Sequence, residues 1–120
     1  MAAPPTVGVM RTHHLDQSLV GQPKEYLEQP DLFGRVDNPA PARPPGGDDV
    51  SERAARLQHQ LVLALRRLEN PPSNAELARL AGCSTSTMSR TLLGERWIGL
   101  KVQAVVAGVL STRVPRGRPA

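Results

Sequence analysis

Residues 73–94, SNAELARLAGCSTSTMSRTLLG, decide how this chain is read. They spell two short helices joined by a tight turn. Ser73 can cap the first, because its hydroxyl accepts an orphan backbone N–H while Glu76, three residues on, reaches back. Pro71 and Pro72 stop whatever precedes it, since proline lacks a donor and restricts the residue before it. Leu77 and Ala81, four apart, fall on one face. Gly82 follows, where a helix end favours a residue tolerant of positive φ. Ser84 then offers a second N-cap, Met88 and Leu92 repeat the four-residue spacing, and Gly94 closes the segment as another C-cap. Two helices this short, with so few residues between them, cannot lie antiparallel over any length. They must cross steeply, as in a helix-turn-helix.

Upstream, residues 51–70 contain no proline or glycine. A helix is expected from Asp49, with Glu52 completing a capping box, to about Asn70. Ala54, Leu57, Leu61, Ala64, Leu65 and Leu68 make its apolar stripe at spacings of three and four. His59 lies off that stripe and is read as exposed. Downstream, a last helix spans about Leu100 to Ser111, with Val102, Val105, Val106, Val109 and Leu110 as its apolar face. Trp97 and Ile98, in the loop before it, are read as plugging the core; base stacking by Trp97 is the alternative. Leu80 and Leu93 fall outside the core and could mark a contact with another chain. The basic tail RVPRGRPA, residues 113–120, cannot be helical past Pro115.

The first 48 residues differ in kind. They hold eight of the twelve prolines and few apolar residues with which to offset chain entropy. Three segments are therefore expected: a disordered tail over 1–48, a folded domain over 49–111 and a basic tail over 112–120. A core of some sixty residues is marginal, burying about 60% of its unfolded surface, so a partner or dimerisation can matter for stability. The exception in the tail is PKEYLEQPDLFGR, residues 23–35, which carries Tyr26, Leu27, Leu32 and Phe33. This island can dock on a partner, fold back on the domain, or form only a transient turn; the last is the expectation.

Charge is divided just as unevenly. Residues 1–48 carry four basic and six acidic side chains, a net −2; residues 49–120 carry eleven and five, a net +6. The excess on the folded half favours a polyanionic partner over a generically solvated surface. Thirteen of the fifteen basic residues are arginine, a composition associated with high-GC genomes. A single cysteine, Cys83, excludes an intramolecular disulfide and a zinc–thiolate cluster, and reads as a small hydrophobe in the turn. His13 and His14 are adjacent imidazoles without spaced ligands and are read as solvated, so no metal and no cofactor is expected. No secretory leader is read at Met1–Pro5, and the longest apolar run, Ala104–Leu110, is far below the ~20 residues of a membrane span. The expectation is a cytoplasmic protein with no membrane partner.

The residues of the short-helix pair resemble the Cro/lambda-repressor-like DNA-binding domains, also called the xenobiotic-response-element type. Ala78 matches the small residue that lets the helices approach, Gly82 the turn glycine, Cys83 the apolar residue after it and Met88 the buried residue of the recognition helix. The string Ser84–Gly94, with Ser89-Arg90 and LLGE after it, resembles the variant common in actinobacteria. The resemblance covers roughly residues 50–110. It implies a compact all-α, four-helix lambda-repressor-like domain that binds double-stranded DNA, nucleoid-associated when bound, with the helix opening at Ser84 in the major groove. By that resemblance Thr85, Ser86, Ser89 and Arg90 hold the groove-facing positions. Arg90 is the strongest base reader, because a guanidinium can bind guanine O6 and N7 bidentately.

Ser84 and Thr87 carry hydroxyls that cap, reach phosphate or touch base edges, and Asn74, Arg96 and Lys101 are candidates for phosphate. Each has a plainer alternative: Asn74 can simply serve its helix start, Arg96 and Lys101 can be solvated, and Arg90 can pair with Glu95. Two departures stand out. The family usually has an apolar residue where this chain has Thr91, and it commonly carries a fifth helix, often used to dimerise, for which Pro115 leaves no room. A homodimer or another protein partner therefore stays open. No paired catalytic histidine, nucleophile elbow or phosphate-binding glycine loop is present in the predicted domain, so an enzyme is not expected. The rival to a small transcriptional regulator is a helical protein-interaction module, adaptor or antitoxin-like, independent of DNA.

Overall fold

The run without proline or glycine becomes the longest helix. In the computed structural model, which describes residues 19–117, α1 spans Asp49–Arg66. Asp48 caps it, its carboxylate accepting the Ser51 N–H at 2.7 Å. That hydrogen bond holds the Asp48 carboxyl below the usual carboxylate range. Three shorter helices follow: α2 at Asn74–Ala81, α3 at Thr85–Leu92 and α4 at Leu100–Thr112. The described residues contain no strand beyond two isolated antiparallel bridges, Leu27 with Pro41 and Leu68 with Pro115. The domain is thus all-α with four helices, as expected. None of these helices is long and apolar enough to cross a membrane.

The core gathers Val62, Leu65 and Leu68 from α1 and its end, Leu77 from α2, Met88 from α3 and Val106 from α4, all at most 4% exposed. Burial of each such side chain contributes about 1.5–3 kcal/mol. On α4 the expected face is the observed one, with Val102, Val106 and Val109 buried.

On α1 the buried stripe is turned from the expected one. Ser51, Ala55, Gln58, His59, Val62, Leu63 and Leu65 are buried, whereas Leu57 is 56% exposed. The polar members are buried because each finds backbone partners, which removes the desolvation penalty that hydrophobicity alone would assign. Ser51 Oγ accepts the Val20 N–H at 3.0 Å. His59, expected to be exposed, is 4% exposed: its Nδ1 accepts the Gly34 N–H at 2.7 Å, so Nε2 carries the proton and donates to Val36 O at 2.8 Å.

These contacts reveal the main correction. Of the expected tail, residues 1–18, including His13 and His14, lie outside the described residues, but residues 19–48 form an ordered strap across α1. Pro23–Tyr26 and Pro30–Leu32 are single turns of 3-10 helix, started by the prolines that suggested disorder. Tyr26 and Phe33 are 3% and 2% exposed, so the aromatic island folds back on the domain. The Tyr26 hydroxyl donates to Val20 O at 2.9 Å, and Phe33 meets the His59 ring edge-on at 5.5 Å. Arg67 clasps Asp37 with two bonds of 2.9 and 2.8 Å, which hold that carboxyl below its usual range. The strap has one cost: Arg66 Nε is buried without a partner, and this burial, with Arg35 nearby, lowers the guanidinium from its usual value.

The C-terminal tail, with no helix past Thr112 among the described residues, packs back on the domain. Residues 118–120 lie outside the described residues, but the stretch just after α4 returns to the end of α1. Glu69 N–H donates to Val114 O at 2.9 Å, Arg116 N–H to Arg67 O at 2.6 Å, and Arg113 reaches both Asn70 O and Glu76. The folded unit therefore runs from about residue 19 to 116, well beyond 49–111.

Candidate nucleic-acid interface

Caps at both ends fix the short-helix pair. Ser73 Oγ accepts the Glu76 N–H at 3.0 Å to start α2. Gly82, at φ +72°, ends it: Gly82 N–H bonds Arg79 O at 3.3 Å and Cys83 N–H bonds Ala78 O at 3.0 Å. These are the paired bonds of a Schellman cap. Only Cys83, half-buried, separates that glycine from Ser84, whose Oγ accepts the Thr87 N–H at 3.0 Å and so starts α3. The turn is as short as two capped helices permit.

Packing then orients α3. Met88 is completely buried and Leu92 is 6% exposed, against Leu77, Ala78 and Ala81 of α2 at 1–6%. Thr91 is also buried at 2%. Its hydroxyl is satisfied by donating to Thr87 O at 2.9 Å, so it packs as an apolar residue would. With about 100° per residue, burying positions 88, 91 and 92 turns positions 86, 89 and 90 outward, while Thr85, seven residues before Leu92, stays accessible because it opens the helix. Thr85, Ser86 and Arg90 are exposed and Ser89 is half-buried. Sequence reading thus places Ser86, Ser89 and Arg90 on one face of α3.

The remaining candidates are more scattered. Ser84 is exposed but committed to its cap, and its hydroxyl also donates to Thr87 Oγ1 at 2.9 Å, drawing Thr87 into the same cap. Asn74 is exposed on the first residue of α2. Arg96 is exposed in the α3–α4 loop and Lys101 on the first turn of α4; neither has an ion-pair partner among the described residues. Arg90 combines both of its readings: its side chain is 58% exposed, yet its Nε lies 4.0 Å from a Glu95 carboxylate oxygen. From residue 73 to 117 there are six basic and two acidic residues, a net +4. Both acids are engaged, Glu76 with Arg113 and Glu95 with Lys24 and Arg90.

Sequence reasoning missed the residues that hold α3 from behind. Gln58, 1% exposed, donates from Nε2 to Thr91 O at 2.9 Å and to Arg96 O at 3.0 Å, and its Oε1 accepts the Ile98 N–H at 2.9 Å. One amide on α1 therefore clamps the end of α3 and the loop after it. The strap holds the same place: Lys24 N–H donates to Gly94 O at 2.9 Å. Trp97 does not plug the core as expected. It is half-buried against the strap, its ring centroid 6.2 Å from that of Tyr26 and its Nε1 donating to Gly21 O at 2.7 Å. An amide among arginines and leucines gave no signal in the sequence; the aromatics of residues 23–35 did.

Two clefts adjoin this frame. The larger, about 290 Å³, lies between strap and α1 beside Tyr26, Asp37, Glu52 and His59; its Asp37 and Glu52 carboxylates are tied to arginines. The smaller, about 240 Å³, lies beside Arg66, Asn74 and Leu92. Among the described residues no group of His, Cys, Asp and Glu could hold a metal ion. Compared with protein-family models, with curated proteins and with solved structures, the chain matches none.

Proposed function

We propose that this domain binds double-stranded DNA and acts as a small transcriptional regulator inside the cell, with α3 in the major groove. The observation that carries the reading is the face of α3. A helix of eight residues, capped at both ends and buried on one side, turns Ser86, Ser89 and Arg90 outward and leaves Thr85 accessible at its first position. Short hydroxyls there let the backbone approach closely, and one guanidinium supplies bidentate readout. Asn74, Thr87, Arg96 and Lys101 are the phosphate candidates, Ser84 serving as the cap that starts the helix, and the +4 balance of this half supplies the attraction.

The test is fluorescence anisotropy with labelled duplex DNA over a salt series. Neutralising roughly four to six phosphates gives a slope of log affinity against log salt of about −4 to −5. A slope near zero favours the second reading, a helical protein-interaction module. Leu80 and Leu100, 51% and 84% exposed, are the observation on its side.

A further inference from the structure

The cap that ends α3 brings an acid to its one arginine. Gly94 N–H bonds Thr91 O at 3.2 Å and Glu95 N–H bonds Arg90 O at 2.8 Å, a second Schellman pair. That backbone path sets the Glu95 carboxylate beside the guanidinium, Oε1 to Nε 4.0 Å. An acid so placed, with no other cation in reach, takes the arginine as its partner and draws it back toward the protein.

Another cation is in reach. Lys24 comes from the strap, 71 positions away in sequence, and its Nζ stands 3.4 Å from Glu95 Oε2. Its backbone is fixed there by the bond to Gly94 O, and its Cβ lies against Gly94 itself. Of the two cations on this carboxylate, lysine is the nearer and the less exposed, with a side chain 31% exposed against 58% for Arg90.

We propose that Lys24 is a positioning residue for Arg90: by holding Glu95 it leaves the guanidinium free to reach a base edge or phosphate. The functional half of this proposal rests on the DNA reading of α3; the competition between two cations for Glu95 does not. The strap is then part of the reading surface, setting how available its arginine is.

The test uses the full chain with Lys24→Gln, Glu95→Gln and the double variant. A glutamine keeps the backbone N–H that seats the strap, and unchanged Trp97 fluorescence checks this. Binding is read with a labelled 20-base-pair duplex selected by the wild-type protein from a random pool, or a random-sequence duplex if none is enriched. Lys24→Gln should weaken binding about two- to fivefold, the size of an exposed ion pair. Glu95→Gln should bind at least as tightly as wild type, and the double variant should match it. An equal loss from Lys24→Gln in both backgrounds would mean that Lys24 touches DNA directly, and would overturn the proposal.

A second measurement needs no DNA: the Arg90 Nε–H signal in nitrogen-15 spectra. Lys24→Gln should shift and order that signal while Glu95 is present and leave it alone in the double variant. No response there refutes the competition outright. The expected response in a protein that binds no duplex keeps the competition and removes the DNA reading.

Discussion

Replacing Gly94 and Gly82 by alanine, one at a time, separates backbone strain from close packing. Both glycines end a helix at positive φ, +78° and +72°. In this left-handed region an L side chain costs about 1–2 kcal/mol. They differ in what a new Cβ meets. At Gly82 there is nothing within 4 Å, so Gly82→Ala should cost only that backbone term. At Gly94 the methyl would stand 2.7 Å from Phe33 Cγ and 3.0 Å from Lys24 Cβ, so the strap must move. Forcing a methyl into such a contact adds about 1–3 kcal/mol, which brings Gly94→Ala to about 2–5 kcal/mol. The difference between the two variants measures how firmly the strap sits on the end of α3. In urea unfolding followed by circular dichroism, with a slope of about 1–3 kcal/mol per molar, the midpoint of the Gly94 variant should fall about twice as far as that of the Gly82 variant. Trp97 fluorescence should change only in the Gly94 variant, because its indole is bonded to the strap. In a Phe33→Ala background most of the extra cost of Gly94→Ala should disappear, leaving only the contact with Lys24 Cβ at 3.0 Å. Equal costs for the two alanines, or an unchanged Gly94 cost without Phe33, would show that the strap is not seated there.

Other outcomes follow from the same frame. Gln58→Ala strips partners from two carbonyls and one N–H at once and should cost about 2–4 kcal/mol by urea unfolding. Met88→Asp buries a charge at a position with no exposure and should abolish the helical circular dichroism of the native state. Asp48 provides a pH test. Its hydrogen bond to Ser51 depresses the folded pKa, so the stabilisation is present above the unfolded value, about 3.9, and is lost as pH falls through the lower folded one. Asp48→Asn keeps a capping oxygen that does not titrate, so the drop in unfolding midpoint between pH 7 and pH 3 should be smaller than in wild type.

The four helices were legible because their ends are written in short-range chemistry. Ser73 and Ser84 cap where they were expected to, and Gly82 and Gly94 take the positive φ that their positions imply. The outward face of α3 was legible for the same reason, since Met88 and Leu92 set its phase. What could not be read was burial that depends on distant partners. Gln58 and His59 look solvent-facing until their backbone partners in the α3–α4 loop and the strap are known, so the apolar stripe of α1 was placed on Leu57 and its neighbours instead. The strap itself is proline-rich and scarcely apolar, and it is held by two aromatics and a set of hydrogen bonds rather than by a hydrophobic stripe. Lys24 at Glu95 is the extreme case, a contact across 71 positions with no sequence mark at either end.

The central claim is that the outward face of α3 reads duplex DNA through Arg90. Its most direct test is to select sites from a random duplex pool with wild-type protein, and to measure wild type and Arg90→Ala against the selected site and its single-base variants. With a side chain 58% exposed, Arg90 contributes little packing, so the variant should fold as wild type does. It should lose about 1–3 kcal/mol of discrimination at one base pair and keep its preferences elsewhere. Unchanged affinity and unchanged base preference in Arg90→Ala, with the wild-type fold intact, would contradict the account.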